Sequence, residues 1–116
     1  MTIDDVKKLL IKLRNNVIDY KVKMYLAHAS YFYKELKREI YRVTFNINNE
    51  VYSILPTYDD LGIKVSKLDE TTKIEIPFND QKEKYEIFAL IEEIKNILTD
   101  NFENDLLHFI NNEHIY

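Results

Sequence analysis

The sequence lacks cysteine and tryptophan, and it has one glycine and two prolines among 116 residues. Without cysteine, disulfides, thiolate metal sites and cysteine nucleophiles are excluded. The single glycine excludes the P-loop and Rossmann fingerprints and the G-x-S-x-G nucleophile elbow, because each of these motifs needs several glycines at fixed spacing. No apolar run approaches the ~20 residues that cross a bilayer, and the charged N-terminal stretch contains no signal-peptide core. We therefore expect a cytoplasmic protein that does not bind membranes.

The composition that remains is typical of a folded domain, with 46% hydrophobic and 31% charged residues. A chain of 116 residues can bury one core, so we predict a single α+β domain over residues 1–116. Residue types with A- and T-rich codons dominate: there are 15 Ile, 13 Lys, 11 Asn, 9 Tyr and 6 Phe. This bias indicates an AT-rich genome, such as that of a low-GC bacterium, its phages or its plasmids.

The N-terminal third predicts one long helix over residues 3–40. Thr2 and Asp5 resemble a capping box, and apolar residues then recur at alternating steps of three and four as far as Tyr31. A second apolar stripe on the same helix comprises Ile11, Ile18, Val22, Tyr25 and Phe32. A helix that is apolar on two faces is normally buried on both. This stripe is therefore either covered by the C-terminal helices or forms the interface of a homodimer, which is the assembly we expect.

Two hairpins of alternating residues follow the helix. The apolar members of the first strand are Tyr41, Val43, Phe45 and Ile47. Asn48-Asn49 fits a two-residue turn, since asparagine tolerates positive φ. This turn predicts that Phe45 lies opposite Tyr52 and that Val43 lies opposite Ile54.

The last strand and the C-terminal helices have clear boundary signals. Pro77 marks the final strand as an edge, because proline cannot donate to a sheet ladder. Asp80 with Glu83 predicts the start of one helix, and Asp100 with Glu103 predicts the start of a shorter one. The predicted fold is α+β, with a long N-terminal helix, a four-stranded antiparallel meander of two hairpins, and two C-terminal helices that cover one face.

Charge is distributed unevenly along the chain. Residues 1–46 carry ten Lys and Arg against five acids, whereas residues 47–116 carry six against fifteen. One interpretation is that the basic N-terminal helix packs beside the acidic C-terminal helices, so that the charges neutralise each other within the fold. The alternative is a charged surface that binds a partner.

Residues suited to catalysis or metal binding are few and poorly spaced. His108 and His114 are six residues apart, which places them on different faces of a helix, and His28 is distant from both. Adjacent carboxylates do not face one another on a helix. Asp59-Asp60 is the best of these pairs for an acid–base or metal-dependent hydrolytic role. We predict no catalytic residue, no metal site and no cofactor.

These observations favour a non-enzymatic protein–protein interaction module. The composition suggests a viral or mobile-element inhibitor of a host protein or protein complex, of the anti-defence or anti-CRISPR type. In one version, an acidic surface of the C-terminal half mimics nucleic acid and blocks a basic groove. The residues of this predicted acidic face are Glu92, Glu93, Glu103 and Asp105.

The alternative function is a small DNA- or RNA-binding protein that uses the basic edge of the N-terminal helix. Its predicted binding residues are Lys8, Lys12, Lys23, Tyr33, Lys34, Lys37 and Arg38. Tyr33 would stack on a base beside these cations. Against this alternative, the sequence pI is near 5.4, whereas nucleic-acid-binding domains usually have a pI above about 9.

Overall fold

The computed structural model describes residues 1–28, 40–57, 61–67 and 73–98. In chain order, the elements within these residues are α1 (Ile3–Asn15), β1 (Lys23–His28), β2 (Ile40–Ile47), β3 (Glu50–Pro56), β4 (Gly62–Lys67), β5 (Lys73–Pro77) and α2 (Gln81–Ile97). The predicted α+β class is confirmed, but the sheet has five strands where four were expected. The predicted second C-terminal helix lies outside the described residues.

The five strands form one antiparallel sheet in the order β1-β2-β3-β4-β5, so β1 and β5 are its edges. The predicted turn between β2 and β3 is confirmed, because Asn48 and Asn49 have φ angles of 54° and 65°. The predicted register is confirmed as well, since Phe45 pairs with Tyr52. Pro77 predicts that its strand lies at an edge of the sheet. β5 contains Pro77 and is an edge strand.

The predicted helix over residues 3–40 is wrong between Asn15, where α1 ends, and His28, where β1 ends, and residues 29–39 lie outside the described residues. α1 begins as expected, with reciprocal hydrogen bonds between the backbone and side chains of Thr2 and Asp5. At its C-terminus, the side-chain amide of Asn16 donates to the Lys12 carbonyl oxygen at 2.9 Å. The chain then turns and enters β1, with Lys21 at φ 48°.

The sequence predicts a helix where β1 lies because the apolar residues of β1 fit the period of a helix as well as that of a strand. Met24 follows Tyr20 by four residues, as on a helix, but Val22, Met24 and Leu26 also alternate, and all three are buried. Antiparallel pairing with β2, in which Met24 lies opposite Val43, stabilises the strand. The second apolar stripe of a continuous helix therefore does not exist.

Both helices cover the same face of the sheet. Their buried side chains share one core with alternate residues of all five strands. The core residues of the helices are Ile3, Val6, Leu10, Leu13, Ile87, Ile91 and Ile94. Neither of the two described helices is long and apolar enough to cross a bilayer.

The two helices run in the same direction. A short turn joins α1 to β1 and another joins β5 to α2, so each helix is antiparallel to the edge strand that it adjoins. An odd number of antiparallel strands makes β1 and β5 parallel, and the helices therefore become parallel to each other. Two ion pairs fit this arrangement: Lys7 contacts Glu86 at 2.5 Å, and seven residues further along each helix Arg14 contacts Glu93.

We expect the turn between β2 and β3 to tolerate glycine but not alanine at position 49. A left-handed conformation costs an ordinary residue roughly 1–2 kcal/mol, whereas glycine adopts it freely. Asn49→Ala should lower the free energy of unfolding by about 1 kcal/mol, and Asn49→Gly should leave it unchanged or raise it. Urea denaturation followed by circular dichroism measures both, and equal losses in the two variants would contradict this turn.

Candidate functional site

The predicted acidic face is only partly described, because Glu103 and Asp105 lie outside the described residues. Glu92 and Glu93 lie on α2 and are exposed. Glu93 forms an ion pair with Arg14, and Glu92 lies 3.6 Å from the Nζ atom of Lys95. The charge of Glu93 is thus neutralised within the fold, as the interpretation of packed basic and acidic helices required.

The three described residues of the predicted basic edge do not lie on one surface. Lys8 and Lys12 are exposed on α1, where the Lys12 ammonium lies 5.4 Å from the centre of the Tyr20 ring. Lys23 lies on β1 and projects from the other face of the sheet, because its neighbour Met24 is buried in the core. The remaining predicted residues of this edge, Tyr33, Lys34, Lys37 and Arg38, lie outside the described residues.

The residues of the predicted oligomer interface are dispersed as well. Ile11 on α1 and Ile18 in the following turn are 39% and 86% exposed. Val22 is buried in the core, and Tyr25 projects from the opposite face of the sheet. Phe32 lies outside the described residues. The structure therefore provides no common surface from the four described members of this set.

Most of the candidate catalytic residues also lie outside the described ranges: His108, His114, Asp59 and Asp60. His28 ends β1 and is not on a helix. Within the described ranges, no group of three or more His, Cys, Asp or Glu residues is placed to hold a metal ion. In the same ranges, no buried side-chain nitrogen or oxygen lacks a hydrogen-bond partner.

An apolar groove lies on the helix-covered face, between the N-terminal half of α1 and strands β2 to β5. It encloses about 250 Å³. Its lining residues are Met1, Leu9, Phe45, Ile47, Tyr52, Val65, Ser66, Lys67 and Ile74. The groove exists because α1, 13 residues long, leaves part of this apolar face uncovered. Met1 and Ile74 are its most exposed apolar members, at 59% and 43%.

A small polar network of Glu50, Tyr52 and Lys67 stabilises one side of the apolar groove. The rings of Phe45 and Tyr52 stack with their centres 5.8 Å apart. The carboxylate of Glu50 accepts hydrogen bonds from the Tyr52 hydroxyl and the Lys67 ammonium, each at 2.8 Å. The hydrogen bond from Lys67 makes the largest contribution to lowering the pKa of Glu50, and the one from Tyr52 acts in the same direction. The only charged residue of the lining is therefore neutralised by its neighbour.

The opposite face of the sheet carries a different chemistry. Four of the five cations on the strands project from this face: Lys23, Arg42, Lys64 and Lys73, which we term the cationic sheet face. Glu75 is the one acid that the strands place there. Burial lowers the pKa of Lys64. The positive charges of Lys73 and Arg42 lower this pKa further, whereas the negative charge of Glu75 raises it.

Neither surface was predicted from the sequence. The apolar groove combines α1 with four strands, so no local motif encodes it. Part of the signal was available, since the predicted pairing of Phe45 with Tyr52 gives two walls of the groove. The cationic sheet face takes its four cations from β1, β2, β4 and β5. It could not be predicted because the sequence predicts a helix where β1 lies.

We expect the Glu50 network to respond to pH in a defined direction. The pKa of Glu50 is lowered from its ordinary 4.5. A carboxylate of this kind contributes stability above its unfolded pKa and loses it as the pH falls through the folded value. The contribution of Glu50 should therefore be complete above about pH 4.5 and disappear at lower pH.

The substitution Lys67→Met tests the cause of this shift. It removes the strongest hydrogen bond, so the pKa of Glu50 should rise toward 4.5, as read by NMR titration of the side-chain carboxyl carbon. Asp5 serves as an internal control, because its lowered pKa derives from hydrogen bonds with Thr2. A Glu50 pKa that does not move in Lys67→Met would contradict the contact.

Comparison of the chain with known protein families, curated proteins and solved structures finds no significant match. The fold therefore comes without a functional precedent from a relative. Function has to be inferred from the surfaces that the described residues form, which are the apolar groove and the cationic sheet face.

Proposed function

We propose that the protein is a non-enzymatic interaction module that binds a partner protein through the apolar groove. The observation that supports this proposal is the lining itself. Only two of its nine residues, Ser66 and Lys67, are polar, and the Lys67 ammonium is occupied by Glu50. Exposed apolar surface rimmed by polar groups is typical of protein–protein contacts, ligand grooves and membrane-interaction sites, and a protein is the partner that we propose.

The size of the apolar groove favours a protein side chain as its ligand. Small-molecule sites usually enclose about 300–1,000 Å³, whereas this groove encloses about 250 Å³ and is open to solvent. A shallow apolar depression of that volume fits one or two large side chains of a partner. Such anchors, buried in a pocket at the centre of an interface, carry most of the binding energy in protein complexes.

The chemistry of the groove supports binding and not catalysis. General acid–base catalysis needs a titratable group that can exchange a proton with the substrate. Among the lining residues, Lys67 has the side chain best suited to exchange a proton, and its ammonium forms an ion pair with Glu50. The other polar residue of the lining, Ser66, directs its hydroxyl to the opposite face of the sheet, where it lies 3.0 Å from that of Ser53.

A host protein is the partner class that the composition favours. The abundance of residue types with A- and T-rich codons suggests a low-GC bacterium or one of its mobile elements, and a small binding protein from such a source would act in the host cytoplasm as an inhibitor. The acidic mimic of nucleic acid is supported less well, because Glu93 is paired with Arg14.

We expect one charge placed in the apolar groove to abolish partner binding. Ile47 is half-buried in the lining, next to the turn, so Ile47→Glu puts a carboxylate at the contact. Tagged wild-type protein should capture a stoichiometric protein from a lysate of a low-GC bacterium, with and without nuclease treatment. Ile47→Glu should reduce that capture at least tenfold, as quantified by mass spectrometry.

The matched control is Val51→Glu. Val51 lies on the same hairpin, is 40% exposed, and projects from the opposite face of the sheet because it pairs with Asn46. This variant should retain the captured protein, and circular dichroism should show that both variants are folded. Equal capture by wild type and Ile47→Glu would exclude the groove as the binding surface.

A second function, single-stranded nucleic-acid binding, is favoured by the cationic sheet face. Tyr25 pairs with Arg42 in register, which places an aromatic ring beside the cations of this face. Stacking of bases on aromatic rings beside cations is the usual mode of sequence-tolerant recognition. We regard this as the alternative because the net charge of the chain is −4.

We expect this alternative to produce salt-dependent binding that Lys64 supports. Fluorescence anisotropy with a labelled single-stranded oligonucleotide should show affinity that falls steeply with salt, because displaced counterions contribute the binding free energy. Lys64→Gln should weaken binding and reduce the salt slope by about 1. Lys82→Gln, at an exposed lysine of α2, is the control. Absence of binding by wild type at low salt would exclude this function.

A further inference from the structure

The edge strand β5 has an exposed side with no partner among the described strands. Its residues Lys73, Ile74 and Glu75 are all exposed, and within the part of the chain that the structure describes it pairs with β4 alone. Edge strands present a row of backbone donors and acceptors that can pair with another chain. The five residues of β5 are short for such a role, but their sequence gives them a particular partner.

The register of β5 shows which backbone groups face outward. The N–H of Phe78 donates to the carbonyl oxygen of Leu61, so these two residues form a hydrogen-bonded pair. Hydrogen-bonded and non-hydrogen-bonded pairs alternate along an antiparallel ladder. It follows that Ile74 directs its N–H and C=O to β4, whereas Lys73 and Glu75 direct theirs away from the sheet.

We propose that β5 pairs antiparallel with β5 of a second copy of this chain, with Ile74 on the two-fold axis. In this register each Lys73 lies opposite Glu75 of the partner subunit, and the outward backbone groups of both residues form the hydrogen bonds. Two opposite-charge pairs arise by symmetry, as in any isologous interface. Cross-strand pairs of this kind stabilise a sheet, whereas like charges directly opposite destabilise it.

Other registers are unfavourable. If the pairing shifts by one residue, the outward N–H and C=O groups of one copy lie opposite residues of the other copy whose own N–H and C=O groups already bond to β4. A shift by two residues places Glu75 against Glu75, or Lys73 against Lys73, at the axis. Charges on an edge strand normally prevent pairing altogether. Here the opposite signs of Lys73 and Glu75 disfavour the neighbouring antiparallel registers, so these charges favour the register with Ile74 on the axis.

Ile74 supplies the apolar part of this contact. Its side chain is 43% exposed and lies on the helix-covered face, at the margin of the apolar groove. Ile74 would form a non-hydrogen-bonded pair with itself, which brings Cα atoms to about 4.5 Å and side chains into contact. Pairing therefore removes this exposed isoleucine from water in both copies. The interface is small, so the dimer should dissociate on dilution.

The test is sedimentation velocity over a concentration series, with charge-reversal variants. Wild type should change from a species of 14.0 kDa to one of twice that mass as concentration rises. Lys73→Glu places two acids opposite each other, and Glu75→Lys places two lysines opposite each other. Each variant should raise the dissociation constant of the dimer tenfold or more, and circular dichroism should confirm that each is folded.

The decisive sample is an equimolar mixture of the two variants. One chain then carries acids at both positions and the other carries lysines at both, so a mixed dimer regains two opposite-charge pairs. The mixture and the double variant Lys73→Glu/Glu75→Lys should both restore dimerisation, and Lys82→Glu on α2 should not affect it. A wild-type monomer at every concentration, unaffected single variants, or a mixture that stays monomeric would each overturn the proposal. This inference does not rest on the proposed function, whose test uses other residues.

Discussion

Alternation of side chains along the five strands is the constraint on which each surface of this protein depends. The turn at Asn48-Asn49 fixes the register of β2 and β3, and neighbouring strands inherit it. Because successive side chains point to opposite faces, a slip of one residue would exchange Phe45 with Thr44. The apolar groove and the cationic sheet face would then both be lost. A local choice of two turn residues thus determines surfaces assembled from distant parts of the chain.

Features that are encoded locally could be predicted from the sequence. The helix starts at Thr2 and Asp80 and the turn at Asn48-Asn49 each depend on residues within four positions of one another. β1 could not be predicted in this way, because the spacing from Tyr20 through Leu26 suits either a helix or a strand. Pairing with β2, across residues that are distant in sequence, decided between them.

The presence of β1 as a fifth strand changes which charged residues contact one another. With four strands between them, the two helices would run antiparallel. The fifth strand makes them parallel, and this direction allows Lys7 to contact Glu86 while Arg14 contacts Glu93. These pairs are partly exposed and contribute less to stability than the apolar core. The pair with Arg14 occupies Glu93, one of the acids of the predicted acidic face, whereas Glu86 was not part of that face. The uneven charge along the chain was real, but its partners could be identified only from the fold.

β5 is the element on which the apolar groove and the cationic sheet face both end. Ile74 contributes to the margin of the apolar groove, Lys73 contributes to the cationic sheet face, and the outward backbone lies between them. A dimer through β5 would therefore extend each surface across the two-fold axis, and each dimer would carry two adjoining copies of the groove. Two sites held at a fixed separation bind a partner with repeated features more strongly than one site does, because the second contact becomes intramolecular. Weak self-association and a shallow groove, each modest alone, would together give a binding protein whose affinity rises with its own concentration.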